Sequence, residues 1–225
     1  MKHFLKTVGL LTFLCISNVA LCQSNEIKVR FIGNCGLHLT DGESNIYIDF
    51  PYKSGAHNYM EYDLSELDSV KIKPIFIYTH KHSDHYSKKL VKKLAGNLEG
   101  KVYGPWNVSE LSELNNKLQN FTIEAHKTKH RFSFKHYSYT ITWHKKTIYI
   151  SGDTEHAETI ASFTNIDWAF VPAWLLMDAI QKDIKLKGNI KHIAVYHIGP
   201  NDNITTEDPQ IKLLNTPGEI ITLTY

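Results

Sequence analysis

The sequence predicts one α/β domain built on mixed β-sheet, and three observations carry that prediction. Short runs rich in β-branched and aromatic residues recur along the chain: IKVRFI, NIYIDF, PIFIYT, FTIEA, YSYTITW, TIYIS, WAFVP, IAVYH and EIITLTY. Helical patterns lie between some of them. HYSKKLVKKLAG sets Leu90, Val91, Leu94 and Ala95 on one stripe, and NVSELSELNNKL sets Val108, Leu111, Leu114 and Leu118 on another. Finally, YSYTITWHKKTIYIS reads as a hairpin turning at His144 to Lys146, so the sheet is not wholly parallel. The lysines of the first helix, Lys88, Lys89, Lys92 and Lys93, form its wet face.

Ahead of the first strand, residues 1–22 read as a secretory signal peptide. Lys2 and Lys6 precede an apolar stretch from Val8 to Ala20, too short for a bilayer span, and small residues at Ala20 and Cys22 suit cleavage before Gln23. VALC also resembles a bacterial lipobox, but Leu21 is bulkier than the residue such a box prefers before its cysteine, so release is favoured over a lipid anchor on Cys22. The expected product is an exported domain, Gln23–Tyr225, periplasmic or secreted. Without Lys2 and Lys6 the 25 basic residues become 23 against 23 acidic ones, so no basic excess points to nucleic acid. Of the three cysteines, Cys15 and Cys22 leave with the leader, so the remaining Cys35 has no disulfide partner.

The chemistry concentrates in THKHSDH. If the PIFIY strand runs out at Thr79, then His80 and His82, two apart on extended chain, point to one side and can grip one ion. Asp84 and His85 follow where the next helix begins, turned toward a second ion. Imidazole nitrogen and carboxylate oxygen are ligands that suit zinc. Two further β-runs end on such groups: Asp153 after TIYISG, with Gly152 permitting a tight turn, and His197 after IAVY. Strand ends are where open sheets build sites.

HKHSDH, a later histidine, SGDT and VYHIG together resemble the metallo-β-lactamase-fold hydrolase superfamily. VRFIGNCGLHLTDGESNIYIDFP is similar to that family's first hairpin, with Gly33 and Gly36 in the turn and Asp49 closing the strand beneath the ligand loop. VYGPWNVSE and IDWAFVPAWLLMDA fall in the family's order. The resemblance implies a four-layer αββα sandwich of two mixed β-sheets with a two-metal site at one edge. It implies His80 and His82 at the first ion, Asp84, His85 and His197 at the second, and Asp153 bridging. By the same resemblance the third histidine of the first ion should lie in the loop between FTIEA and YSYTITW, among His126, His130 and His136. His130 is preferred because it stands 23 residues before Asp153, a gap resembling the usual one, and His136 reads as a wall residue.

The activity so implied is hydrolysis of an ester, lactone, lactam or phosphodiester. Two divalent ions, zinc expected, would lower the pKa of a shared bridging water to about 7, and Asp84 would also orient the nucleophile or pass a proton. Small molecules are the expected partners. No G-x-S-x-G nucleophile motif is present, and Cys35 reads as structural. The short chain and the Asp153 bridge look closer to lactonase-like members than to true β-lactamases. Tyr59, Tyr62, Trp106 and Trp174 are candidate pocket walls. The alternative is an envelope protein that binds metal or ligand on this fold without turnover.

Overall fold

Alternation within single strands sets the layering. In the computed structural model, which describes residues 25–53, 61–186, 188–199 and 201–225, Ile148 and Ile150 of one strand enter a different apolar cluster from Tyr149 between them. Ile75 and Ile77 are likewise separated from Phe76. Successive strand side chains point to opposite faces, so each of these strands is covered on both sides.

The chain runs β1 (Glu26–Gly33), β2 (Gly36–Thr40), β3 (Asn45–Ile48), β4 (Ile75–Ile77), α1 (Lys88–Asn97), β5 (Lys101–Tyr103), α2 (Leu114–Lys117), β6 (Phe121–His130), β7 (Ser133–Trp143), β8 (Lys146–Ile150), α3 (Ala157–Ala161), β9 (Ile166–Pro172), α4 (Ala173–Gln181), β10 (Ile190–Tyr196), β11 (Ile211–Leu213) and β12 (Ile220–Thr224). Two six-stranded sheets result, ordered β12-β1-β2-β3-β4-β5 and β11-β10-β9-β8-β7-β6. Each is mixed: β1 to β3 pair antiparallel and β3 to β5 parallel, while β6 to β8 pair antiparallel and β8 to β11 parallel. The largest core lies between the sheets, around Phe31, Leu37, Ile141, Trp143 and Phe170. A second core packs Leu175 and Ala179 of α4 on Val171, and a third packs Val91 of α1 on Phe76 and Tyr78. Helix, sheet, sheet, helix is therefore the layer order: a four-layer αββα sandwich.

The predicted elements are present with three adjustments. The Val108–Leu118 helix forms as a 3₁₀ stretch, Val108–Glu113, leading into α2. The hairpin after Trp143 turns on His144 and Lys145 alone, both at positive φ, and Lys146 already pairs with Trp143. The stretch holding His126, His130 and His136, expected as a loop, is ladder: β6 continues to His130 and β7 starts at Ser133. Its residues are mostly polar because the outer end of this hairpin lies outside the apolar clusters, where backbone pairing and polar side-chain bonds hold it. The leader and Tyr59 lie outside the described residues. Among the described residues no helix is long and apolar enough to cross a membrane.

Candidate metal centre

Parallel strands from both sheets end at one edge, and each end carries a polar side chain. Asp49 follows β3, Thr79 to His85 follow β4, Asp153 follows β8 and His197 follows β10. The sheets are tied together there: the Tyr137 amide donates to the Thr79 carbonyl at 3.0 Å, and the Tyr139 hydroxyl to the Tyr78 carbonyl at 2.7 Å. Gly152 sits at φ +58, and a Cβ there would lie 2.6 Å from Nε2 of His136 and 2.8 Å from Cβ of Thr79. Only glycine lets the chain after β8 turn this close to β4 and β7.

All seven residues singled out from the sequence converge at this edge. His82 Nδ1 lies 3.3 Å from His130 Nε2. Oδ2 of Asp153 faces four imidazole nitrogens: Nε2 of His85 at 3.1 Å, His197 at 3.3 Å, His130 at 3.7 Å and His80 at 3.8 Å. Oδ2 of Asp84 lies 3.3 Å from Nε2 of His197 and 3.8 Å from that of His85. Two sets of possible ligands separate on distance. One is His80, His82 and His130, and the other is Cys35, His85, Asp153 and His197, each with its ligating atoms within 4.8 Å of one another.

The hydrogen bonds decide which nitrogens are available. Asp49 is fully buried and accepts three bonds, from the Thr79 amide (2.7 Å), the Thr79 hydroxyl (2.7 Å) and Nδ1 of His85 (2.9 Å). Nδ1 of His85 is therefore committed to Asp49 as a donor, and Nε2, turned toward Asp153, is the nitrogen left for an ion once its own proton is displaced. Since the Thr79 hydroxyl spends its hydrogen on Asp49, it accepts from Nδ1 of His80 at 3.1 Å, and Nε2 of His80, buried and without a partner, is the free lone pair. Nε2 of His82 donates to the Phe132 carbonyl at 3.4 Å, leaving Nδ1 for the cluster. Ring nitrogens that face a shared carboxylate while their opposite nitrogens are spent on hydrogen bonds suit the donor set of a divalent cation.

His136 is excluded by the same accounting. Its Nε2 accepts from the Asp153 amide at 3.0 Å and its Nδ1 bonds the Thr128 hydroxyl at 2.6 Å, so it braces the Asp153 backbone. Burial pushes its pKa down to about 3, which keeps it neutral for that role. His126 bonds the Thr140 hydroxyl at 2.9 Å and packs at a tilt against Phe163, outside both ligand sets. Burial lowers the pKa of His80 and His130. It acts the same way on His85, but Asp153 and Asp49 overcome it and hold that pKa well above the ordinary value; Asp153 does likewise for His197. Burial alone would raise Asp153, yet His197 and His85 hold it well below the carboxylate range.

Three supports escaped the sequence reading. Asn34, in the β1–β2 turn, donates to the Asp84 carbonyl at 2.9 Å and accepts from the His197 amide at 3.0 Å, fixing both ligand segments. Cys35 Sγ lies 3.8 Å from Oδ1 of Asp153. Burial followed by the nearby carboxylates raises its pKa, so it stays a thiol and donates to Asp153. Thr79 couples His80 to Asp49 as described. GNCG gave a turn signal and nothing more. Of the candidate walls, Trp174 lines the cavity, its Nε1 donating to the Asp153 carbonyl at 3.3 Å and its ring edge-on to His197. Tyr62 is core, bonded to the Tyr52 carbonyl.

No protein-family model and no curated protein sequence matches the chain. Solved structures do match. The metallo-β-lactamase fold protein YhfI from Bacillus subtilis is similar over 88% of this chain and 99% of its own (16% identity, TM-score 0.60). Igni18, a metallo hydrolase from Ignicoccus hospitalis, is similar over 89% and 99% (16%, 0.58). A candidate metal-dependent hydrolase from Parabacteroides distasonis is similar over 84% and 91% (20%, 0.56). With its two mixed sheets and flanking helices, the chain has the metallo-β-lactamase fold.

Proposed function

We propose that this chain is a metal-dependent hydrolase that holds two divalent ions, zinc by the chemistry of its donors. His80, His82 and His130 would hold the first, Asp84, His85 and His197 the second, and Asp153 would bridge them. The observation that carries the reading is the single oxygen Oδ2 of Asp153 faced by four ring nitrogens drawn from both sets. When bound, such an ion pair supplies Lewis acidity and lowers the pKa of water to about 7. The side chains do the rest. Asp84, held through its carbonyl by Asn34, is placed to orient the nucleophile and take its proton. Trp174 and Arg131 wall the approach, and no side-chain nucleophile is required.

A cavity of about 380 Å³ reaches Asp84, Asp153 and His197 and is also lined by Glu155. Structural metal sites are closed by their ligands, whereas this one opens onto a space of substrate size, which favours turnover over storage. The similarity in fold to Igni18, named a metallo hydrolase, points the same way. Export through the 1–22 leader, and an ester, lactone or phosphodiester in preference to a β-lactam, belong to the same proposal. Metal analysis together with an ester, lactone, lactam and phosphodiester panel tests it. Wild type should hydrolyse at least one class, and Asp84→Ala should lose turnover by about 100-fold or more with its circular dichroism unchanged. Full activity in that variant would overturn the mechanism.

A further inference from the structure

The tip of the β6–β7 hairpin carries two features that folding does not account for. The turn between His130 and Ser133 is Arg131–Phe132, and Phe132 holds φ +61, a left-handed conformation that a bulky side chain adopts only at a cost. Its ring is 87% exposed, and that of Phe134 is wholly exposed. Glycine or asparagine would suit this backbone better, and a polar residue would suit this surface better. Strain and exposed aromatic surface beside a reactive cluster are signs of a binding role.

The space these rings face fits that role. Phe132 and Phe134 wall a groove of about 340 Å³ with Trp106, and Phe132 and His82 line both this groove and the metal cavity, so the two are contiguous. The tip is tied to the ligand set through the bond from His82 to the Phe132 carbonyl. Among the described residues that line the groove, Lys81 and Lys135 are charged and none is acidic, and Lys81 Nζ lies 5.1 Å from the centre of the Trp106 ring. Aromatic faces with flanking ammonium groups select a flat, apolar, negatively charged group.

We infer that this groove is a substrate subsite for an anionic aromatic arm, so that the hydrolysed bond belongs to an aryl-bearing, negatively charged ester or phosphodiester whose reacting centre lies over the His82 and Asp153 side of the cavity. This rests on the hydrolase reading for its chemistry but on the groove alone for its binding. Phe132 and Trp106 sandwich the ring, and Lys81 and Lys135 meet the charge.

Calorimetric binding of 2-naphthoate, 2-naphthamide and acetate to the zinc-loaded full chain tests it. Acetate controls for carboxylate–metal contact, and the amide for the ring without charge. 2-Naphthoate should bind at least about tenfold tighter than acetate and tighter than the amide. Phe132→Gly should weaken naphthoate by about two- to tenfold without lowering the melting temperature, since glycine accepts φ +61. Lys81→Ala should abolish the preference for naphthoate over the amide. Naphthoate binding no tighter than acetate, or unaltered in folded Phe132→Gly, overturns the subsite. So does a Phe132→Gly effect confined to sedimentation with anionic lipid vesicles, which would make the tip a membrane contact. Groove binding without hydrolysis of any panel compound would defeat the hydrolase reading and leave the subsite standing; hydrolysis without groove binding would do the reverse.

Discussion

Asp49→Asn separates a residue that positions a ligand from the ligands themselves. The carboxylate is fully buried and accepts from the Thr79 amide, the Thr79 hydroxyl and Nδ1 of His85, at 2.7, 2.7 and 2.9 Å. The amide is isosteric: its oxygen keeps the Thr79 amide bond, but its nitrogen now faces Nδ1 of His85 with a hydrogen. Metal-free His85 answers by giving up the Nδ1 proton and keeping the one on Nε2, which Oδ2 of Asp153 accepts at 3.1 Å. The fold tolerates that exchange. Metal binding does not, because returning the proton to Nδ1 sets two N–H groups against each other and forfeits a charge-assisted bond of about 1.5–3 kcal/mol. At about 1.4 kcal/mol per decade this is about 10–100-fold in affinity for the second ion. The first set, which meets Asp49 only through Thr79, should change by less than about threefold. Competition against a fluorescent chelator resolves the two affinities. Equal loss at both sites, or none, would refute the tautomer assignment.

Three further outcomes follow from the same geometry. In the metal-free protein Asp153 raises the pKa values of His85 and His197, which favours protonated rings whose protons the second ion must displace. Titration in buffers of different ionisation enthalpy should therefore register proton release. Because those folded values are raised, their stabilisation of the metal-free chain is complete below about pH 6.5 and is lost as pH rises through the folded values; the metal-loaded chain lacks this alkaline loss. Denaturation midpoints of both forms across that range check the sign. Gly152→Ala brings a Cβ to 2.6 Å from His136 Nε2 at φ +58, and backbone strain plus overpacking should cost about 2–5 kcal/mol in denaturant unfolding.

What could be read from the sequence was whatever local chain geometry encodes. Runs of β-branched and aromatic residues and a hairpin signal after Trp143 gave the mixed α/β class, and H-x-H-x-D-H beside an apolar run placed four polar groups at a strand end. Asp153 and His197 were legible because each directly follows its strand or the turn glycine. The supports were not. Asn34 meets Asp84 across 50 positions and Cys35 meets Asp153 across 118, and nothing local marks either residue for its partner. The extension of β6 to His130 was hidden for another reason. HKTKH is polar on both faces, so the period-2 signal that reports a half-buried strand is absent where pairing with β7 holds the chain outside the core.

The concentration of left-handed residues at this edge bears on why the cluster is built from strand ends. Asn34, Asp49 and His197 all hold positive φ, at 47°, 46° and 57°, and all three are buried. Asparagine, aspartate and histidine are the side chains that visit that region most readily, yet each still carries a cost that folding must cover elsewhere. Each of the three turns its chain sharply just past a strand: Asn34 after β1, Asp49 after β3 and His197 after β10. An extended exit would carry the next side chain onward along the sheet; the left-handed turn brings it across the edge instead, to where the other sheet ends. The Asn34 carbonyl receives the His197 amide, so two of these turns hold each other. A rigid pair of sheets thus supplies strand ends that a few unfavourable dihedrals redirect onto one point, and Oδ2 of Asp153 occupies that point.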